Sequence, residues 1–351
     1  MPLFEFKEKK DNFEFRNSDA SVLGVSKEVV VAKNCILDLK TGLAYSLNEN
    51  SVIWDASEEY LAWFNGRDAE WISSDPRWKS KILKNYLIAE RMEACEKYVK
   101  GNIDNIEDIE KLDYIEGNSI NFLHPFDFYV YGHFFDTFHK SLILEKNNIP
   151  YDNLICRSFH TIKDHSEHIQ AMGLDSDKIR IMPNSGMVKV ENLIYPVPQS
   201  APSQFTDYTL NGLASKYRKF YNVKPLKIKY KLFLTRRKGS VKRFILNADA
   251  LESELIKKGI VILDGTENLS EIVNYFSNAS HICGPHGSLF MSSMFTDSAC
   301  KFKEFSPKDR VNMAFCFQYQ NIRSYSFDLV DTDTDFNFNL DLQAIKNFYE
   351  V

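Results

Sequence analysis

From residue 230 to residue 305 the chain alternates short apolar runs with amphipathic stretches of helical length, and this rhythm constrains the fold more than any other feature. Residues 230–235 read as a strand. Residues 243–258 read as a helix whose basic end, Lys257-Lys258, precedes Gly259, the order that a helix C-terminus favours. Residues 260–263 read as the next strand, and Asn268 with Glu271 three residues later as a capping box ahead of a helix over 271–277. A strand at 281–283, a helix at 288–295 and a strand at 300–305 complete a βαβαβαβ series. Strands linked through helices pair in parallel, with the helices covering both faces of the sheet. The expected fold class is therefore α/β, a doubly wound sheet that takes its ligands at the carboxyl ends of its strands.

A chain of 351 residues exceeds what one core usually serves, so two domains are expected. Upstream, 28–32, 35–39, 43–47 and 51–54 form a β-rich lead-in, and 78–100 reads as an amphipathic helix ended by Gly101. Apolar runs near 115, 128–131, 154–159 and 179–182 then suggest another parallel sheet. Pro196, Pro198 and Pro202, with Gln199, Ser200 and Ser203 among them, mark a linker or active-site loop. The expected division is an N-terminal domain with its lead-in over 1–200, a C-terminal domain over 225–335, and a helix over 336–351 packing back on the N-terminal domain.

Net charge excludes some partners. Lys plus Arg total 43 against 48 Asp plus Glu, so no global basic field points to nucleic acid, and any phosphate site must be a local basic patch. The six cysteines show no CxxC spacing and read as buried thiols of a reducing compartment. The first residues lack a signal-peptide core, and no window approaches 18 apolar residues. The expectation is a soluble cytoplasmic protein, with peripheral contact at the inner membrane face compatible with it.

Three loops at the carboxyl ends of the expected C-terminal strands carry groups suited to a nucleoside diphosphate. The first holds Arg236, Arg237, Lys238, Lys242 and Arg243; guanidinium forks match phosphate oxygens and stay charged at any working pH. The second is Gly284-Pro285-His286-Gly287-Ser288, where glycines allow close backbone approach ahead of a helix start. The third ends in Glu304, a carboxylate placed to accept from ribose hydroxyls. Taken singly, each has a plainer reading: a solvated basic turn, a connecting turn, a surface acid. His160, His165 and His168 lie near Asp164 and Glu167, but their spacing forces no metal site.

Together, residues 232–237, Arg243, Asn247, the run 284–290 and residues 303–307 resemble the core of the family 61 glycosyltransferases. The upstream run Gly132-His133-Phe134-Phe135-Asp136-Thr137-Phe138 is similar to that family's histidine motif, although its acidic residue comes three positions after the histidine rather than the usual four. The resemblance implies a GT-B fold of two Rossmann-like domains and an inverting sugar transfer that needs no metal or other cofactor. It implies a nucleotide-sugar donor, UDP-sugar first, and a glycan or carrier-linked acceptor, as in the synthesis of cell-surface polysaccharide such as capsule. The implied donor-site residues are Arg236, Arg237, Arg243, Gly284, His286, Gly287 and Ser288, with Asn247 shaping the loop and Glu304 on the ribose. His133 and Asp136, three apart on one helix face, are the alternatives for the base that takes the acceptor's proton. A non-catalytic nucleotide-binding scaffold in a polysaccharide assembly complex is the competing reading.

Overall fold

The computed structural model describes residues 22–26, 29–53, 97–123, 140–157, 165–183, 185–196, 207–237, 244–297, 299–308, 324–335 and 337–351. The chain divides into two compact units, one of residues 1–169 and 174–202 and the other of residues 170–173 and 203–351.

The first unit is built on an eight-stranded mixed sheet. Its lead-in strands β1 (Val22–Ser26), β2 (Val29–Asp38), β3 (Ala44–Ser46) and β4 (Ser51–Val52) are not a separate preamble. β2 merges two of the expected strands and pairs antiparallel along its length with β8 (Met187–Pro196). From β8 the sheet continues in parallel through β5 (Tyr114–Asn121), β6 (Asn153–Arg157) and β7 (Ile179–Met182). Val30, Ala32, Leu37, Val188, Val190 and Leu193 from β2 and β8 pack in one core with Leu123 and Ile155. Burial of that apolar surface offsets the closure entropy of a contact so distant in sequence. The described helical residues 97–104 run through Gly101, which does not end that helix. Helices α1 (Lys140–Asn147) and α2 (His165–Ala171) also belong to this part of the chain.

The second unit holds a five-stranded, all-parallel sheet in the order β10-β9-β11-β12-β13: β9 (Tyr230–Leu234), β10 (Val261–Leu263), β11 (Ala279–Pro285), β12 (Lys301–Pro307) and β13 (Ser324–Val330). In chain order this is 2-1-3-4-5, a doubly wound arrangement. Alternate strand residues bury opposite faces. Phe233, Cys283 and Phe305 pack against Leu251 and Leu255 of α4 (Ala248–Lys257) and Ile345 and Tyr349 of α6 (Leu342–Tyr349). Leu232, Leu234, Ile282 and Phe302, facing the other way, are buried too. Next to one another lie α3 (Asp207–Phe220), α5 (Leu269–Ser277) and a 3₁₀ segment, Ser288–Phe295. The Tyr217 and Phe295 rings meet at 4.7 Å, and Arg218 donates to the Phe295 carbonyl at 2.7 Å.

In the second unit three expectations change. α4 starts at Ala248 rather than 243; the segment 288–295 is 3₁₀ rather than α; and a strand, β13, extends the sheet. The terminal helix packs on the C-terminal sheet: its Tyr349 hydroxyl donates to the Leu232 carbonyl, and Lys231 Nζ donates to the Tyr349 carbonyl at 2.6 Å. Ile345 and Tyr349, four apart on one face, give α6 an apolar stripe that only a neighbouring core satisfies. The capping box at Asn268 and Glu271 forms in both directions, at 2.9 and 3.0 Å.

Candidate functional site

Strand order locates the site before any side chain does. β9 is followed by a crossover to β10 on one side, while β11 lies on its other side, so the strand order reverses between β9 and β11, which makes their carboxyl ends a topological switch point. The two loops that leave those ends carry Arg236 and the run from His286 to Ser288.

Close packing of the two strands depends on Gly284. A methyl group there would lie 2.5 Å from the Leu234 carbonyl oxygen and 2.7 Å from Leu234 Cβ, closer than atoms tolerate. At the tip the contact is softer: a methyl group on Gly287 would meet the Arg236 guanidinium at 3.3 to 3.5 Å. The guanidinium therefore lies directly against the backbone of the second loop. Partial burial lowers the Arg236 pKa from its usual value, but an arginine remains charged. A half-desolvated cation beside an extended glycine is a strong electrostatic element, since water screens it less than at the surface.

Arg237 is spent differently. Its Nε and Nη2 donate to Glu252 Oε2 at 3.1 and 2.6 Å, and its Nη1 stands 3.8 Å from Asp264. The hydrogen bond to Glu252 and that carboxylate's charge raise the Arg237 pKa. Glu252, on α4, is buried and also accepts from the Thr235 hydroxyl at 2.5 Å. Arg237 thus anchors the first loop to α4 and β10, while Arg236, among the described residues of this loop, is the cation that lies against the Gly287 backbone.

His286 and Glu304 form a buried pair. The backbone N–H of His286 donates to the Phe305 carbonyl at 2.8 Å, fixing the loop on β12, and its Nδ1 meets Glu304 Oε1. The other carboxylate oxygen accepts from the Tyr325 hydroxyl of β13. Glu304 is only 1% exposed, so its carboxylate faces inward to His286 and Tyr325 rather than out toward a ribose.

Asn247 does not brace the arginine loop. Its amide donates to the Leu340 carbonyl at 2.9 Å and its side-chain oxygen accepts from the Leu340 N–H at 3.0 Å, a two-way tie between α4 and the segment before α6. The backbone of Ser288 opens the 3₁₀ segment. Arg243, His133 and Asp136 lie outside the described residues, as do Lys238, Lys242 and His160. His168 is buried in α2, and among the described residues no three His, Cys, Asp or Glu side chains are grouped to hold a metal ion. Sequence reasoning missed Glu252 and Tyr325. Glu252 carries no signal beyond an acid on a helix, whereas Tyr325 sits in a run, Tyr325, Phe327, Leu329, that alternates with polar residues as a strand does.

The sequence profile of the Glycosyltransferase 61 family matches residues 131–302. That span takes in Arg236, Gly284, His286, Gly287 and the His133 motif, and stops short of Glu304 and Tyr325. No curated protein matches the chain. Among solved structures, the Clostridium botulinum CMP N-glycosidase BcmB aligns with 34% of this chain and 98% of its own at 9% identity, with a TM-score of 0.23, a likeness that carries no argument.

Proposed function

We propose, for a chain that belongs to glycosyltransferase family 61, that it moves a sugar with inversion from a nucleoside-diphosphate donor, UDP-sugar first, to a glycan or carrier-linked acceptor. The observation that carries this is Arg236 set against the Gly287 backbone at the switch point between β9 and β11. A donor diphosphate in that crevice meets a fixed cation at short range and backbone it can approach closely, as anion binding at such crevices requires.

In a single displacement the acceptor oxygen bonds to the anomeric carbon as the bond from that carbon to the phosphate oxygen breaks. The electron pair leaves with the diphosphate, and positive groups already in place stabilise it without reorganising. Arg236 is assigned that role here, so the reading needs no metal. The second unit then acts as the donor half of a GT-B enzyme, and His133 or Asp136 is the base that takes the acceptor's proton. Cell-surface polysaccharide synthesis at the cytoplasmic membrane face is the setting in which such an acceptor is met.

The test is turnover of a nucleotide-sugar panel with a chelator present, with the anomeric configuration of the product read by NMR. Transfer with inversion that survives chelation is expected. Retention of configuration, or loss of turnover on chelation restored by a divalent cation, overturns the mechanism. His133→Ala and Asp136→Ala are expected to abolish transfer while nucleotide binding persists; binding without turnover in the unaltered protein would favour the scaffold.

A further inference from the structure

A nucleotide whose diphosphate lies at the carboxyl ends of β9 and β11 extends its nucleoside toward β10 or toward β12, the strands that flank those two. On the β12 side the acid at the strand end is Glu304, which is buried, with one oxygen on His286 and the other on Tyr325. On the β10 side the acid is Asp264, the residue directly after the strand, and it is exposed. We infer that Asp264 accepts hydrogen bonds from the vicinal hydroxyls of the donor's ribose, so that the nucleoside lies toward β10 and a ribonucleotide is selected. This rests on the reading that the switch point holds the donor diphosphate.

Register puts Asp264 beside the arginine loop. Leu263 pairs with Leu234, and the Thr235 N–H donates to the Leu263 carbonyl at 2.8 Å, so Asp264 stands alongside Thr235, the residue before Arg236. Neighbouring strands are about 4.8 Å apart, a separation that one nucleotide bridges. The loop that carries Asp264 is held in shape by its own hydrogen bonds. Asp264 Oδ1 accepts from the N–H and the hydroxyl of Thr266 at 3.0 and 2.6 Å, and the Glu267 carboxylate accepts from the Asp264 and Gly265 N–H groups at 3.2 and 2.9 Å. These bonds occupy Oδ1 and both Glu267 oxygens. Oδ2 stands 3.8 Å from Arg237 Nη1, beyond hydrogen-bond reach, because Glu252 takes that side chain's Nε and Nη2. Among the described residues, no other residue donates to Oδ2.

The Thr266 hydroxyl has the largest influence on this carboxyl, and with the Thr266 N–H and the Arg237 charge it outweighs partial burial and holds the Asp264 pKa below its ordinary value. Ionised, a carboxylate only accepts, and a pair of hydroxyls is its natural complement. A phosphate at this point would meet like charge, so the diphosphate belongs beside Arg236 and the ribose beside Asp264. Doubly wound nucleotide folds divide the work in the same way: the loop after the first strand takes the phosphates and an acid after the second takes the ribose. In chain order β9 and β10 are the first two strands of this sheet.

Calorimetric titration of UDP and of 2′,3′-dideoxy-UDP into the full chain and into Asp264→Ala tests this, with GDP or ADP and their dideoxy analogues in place of UDP if it does not bind. Each protein supplies its own ratio of the two affinities, so a general loosening of the loop cancels. The unaltered protein should prefer UDP by about 10- to 150-fold, the worth of hydrogen bonding to a charged acceptor, and Asp264→Ala should cut that preference to about twofold or less. Should Asp264→Ala fail to fold, Asp264→Asn keeps an acceptor for Thr266 without the charge, and its preference should fall at least about threefold below that of the unaltered protein. Equal affinity of the unaltered protein for UDP and its dideoxy analogue, or an undiminished preference in the Asp264 variant, overturns the inference. A preference that survives there and vanishes in Glu304→Gln puts the ribose on the β12 side and overturns it too. Failure of every nucleoside diphosphate to bind the unaltered protein overturns the donor site itself, and this inference with it.

Discussion

Gly284→Ala should damage the molecule at one point and in a calculable way. The added methyl would stand 2.5 Å from the Leu234 carbonyl oxygen and 2.7 Å from Leu234 Cβ, and both belong to a buried strand rather than to the end of a flexible side chain. Relief requires β9 and β11 to separate by several tenths of an ångström at their carboxyl ends. Overpacking of this kind costs about 1–3 kcal/mol, and backbone obstruction puts the expectation at the upper end. For a unit of this size about 3 kcal/mol lowers Tm by roughly 6–12 °C. The same separation moves Arg236 away from the Gly287 backbone, so donor affinity falls as well. Thermal unfolding followed by calorimetry, with nucleotide binding measured well below the transition, reads both effects. Gly101→Ala is the control: it lies within the helical residues 97–104, nothing stands within 4 Å of the added methyl, and replacing a helical glycine by alanine should stabilise by about 0.5–1 kcal/mol. Gly284→Ala with unchanged Tm and unchanged nucleotide affinity would refute the close approach of β9 and β11 and the site reasoned from it.

Other outcomes follow from the same contacts. Gly287→Ala should leave Tm within about 2 °C, because the neighbour is a side chain that can swing away, yet weaken nucleotide binding through displacement of Arg236; calorimetric titration checks both. Arg237→Ala should lower stability by about 1–3 kcal/mol in urea unfolding, since it strips a buried carboxylate of its cation, with Arg237's own half exposure keeping the loss below that of a fully buried pair. Arg237→Ala together with Glu252→Leu should recover part of that loss, as removing both buried partners restores apolar packing. Cys35, Cys156, Cys283 and Cys300 are buried, and burial pushes the Cys35 thiol up to about 12 and raises Cys283 as well. At pH 8 none of the four should react with a thiol reagent until the protein is unfolded, so early labelling of any of them would contradict their burial.

Much of the second sheet is legible in the sequence because apolar period and turn chemistry are local. β9, β10 and β12 fall within one or two residues of the expected strands, and the Asn268 capping box announces α5. β13 is an edge strand with Phe327 and Leu329 well exposed, so its alternating pattern stands out less against a loop than a buried apolar run does. The pairing of β2 with β8 joins residues about 160 positions apart in sequence, and no local pattern encodes which distant strand a sheet recruits. The site divides on the same line. The glycine turn and the arginine loop are visible as motifs, but that Arg237 turns to α4 depends on Glu252, a helix residue that only the folded packing of α4 brings beside Thr235 and Arg237. The inward turn of Glu304 likewise needs the register of β12 against β13, which pairs Glu304 with Phe327 and sets Tyr325 two positions before it on the same face.

Calorimetric titration of the full chain and of Arg236→Ala with UDP and with other nucleoside diphosphates tests the central claim, that the donor diphosphate sits at the switch point between β9 and β11. A charge-assisted hydrogen bond to phosphate is worth about 1.5–3 kcal/mol, so the substitution should weaken binding by roughly 10- to 150-fold without lowering Tm of the unliganded protein by more than a few degrees. Equal affinity of the two proteins for the nucleotide that binds would contradict it.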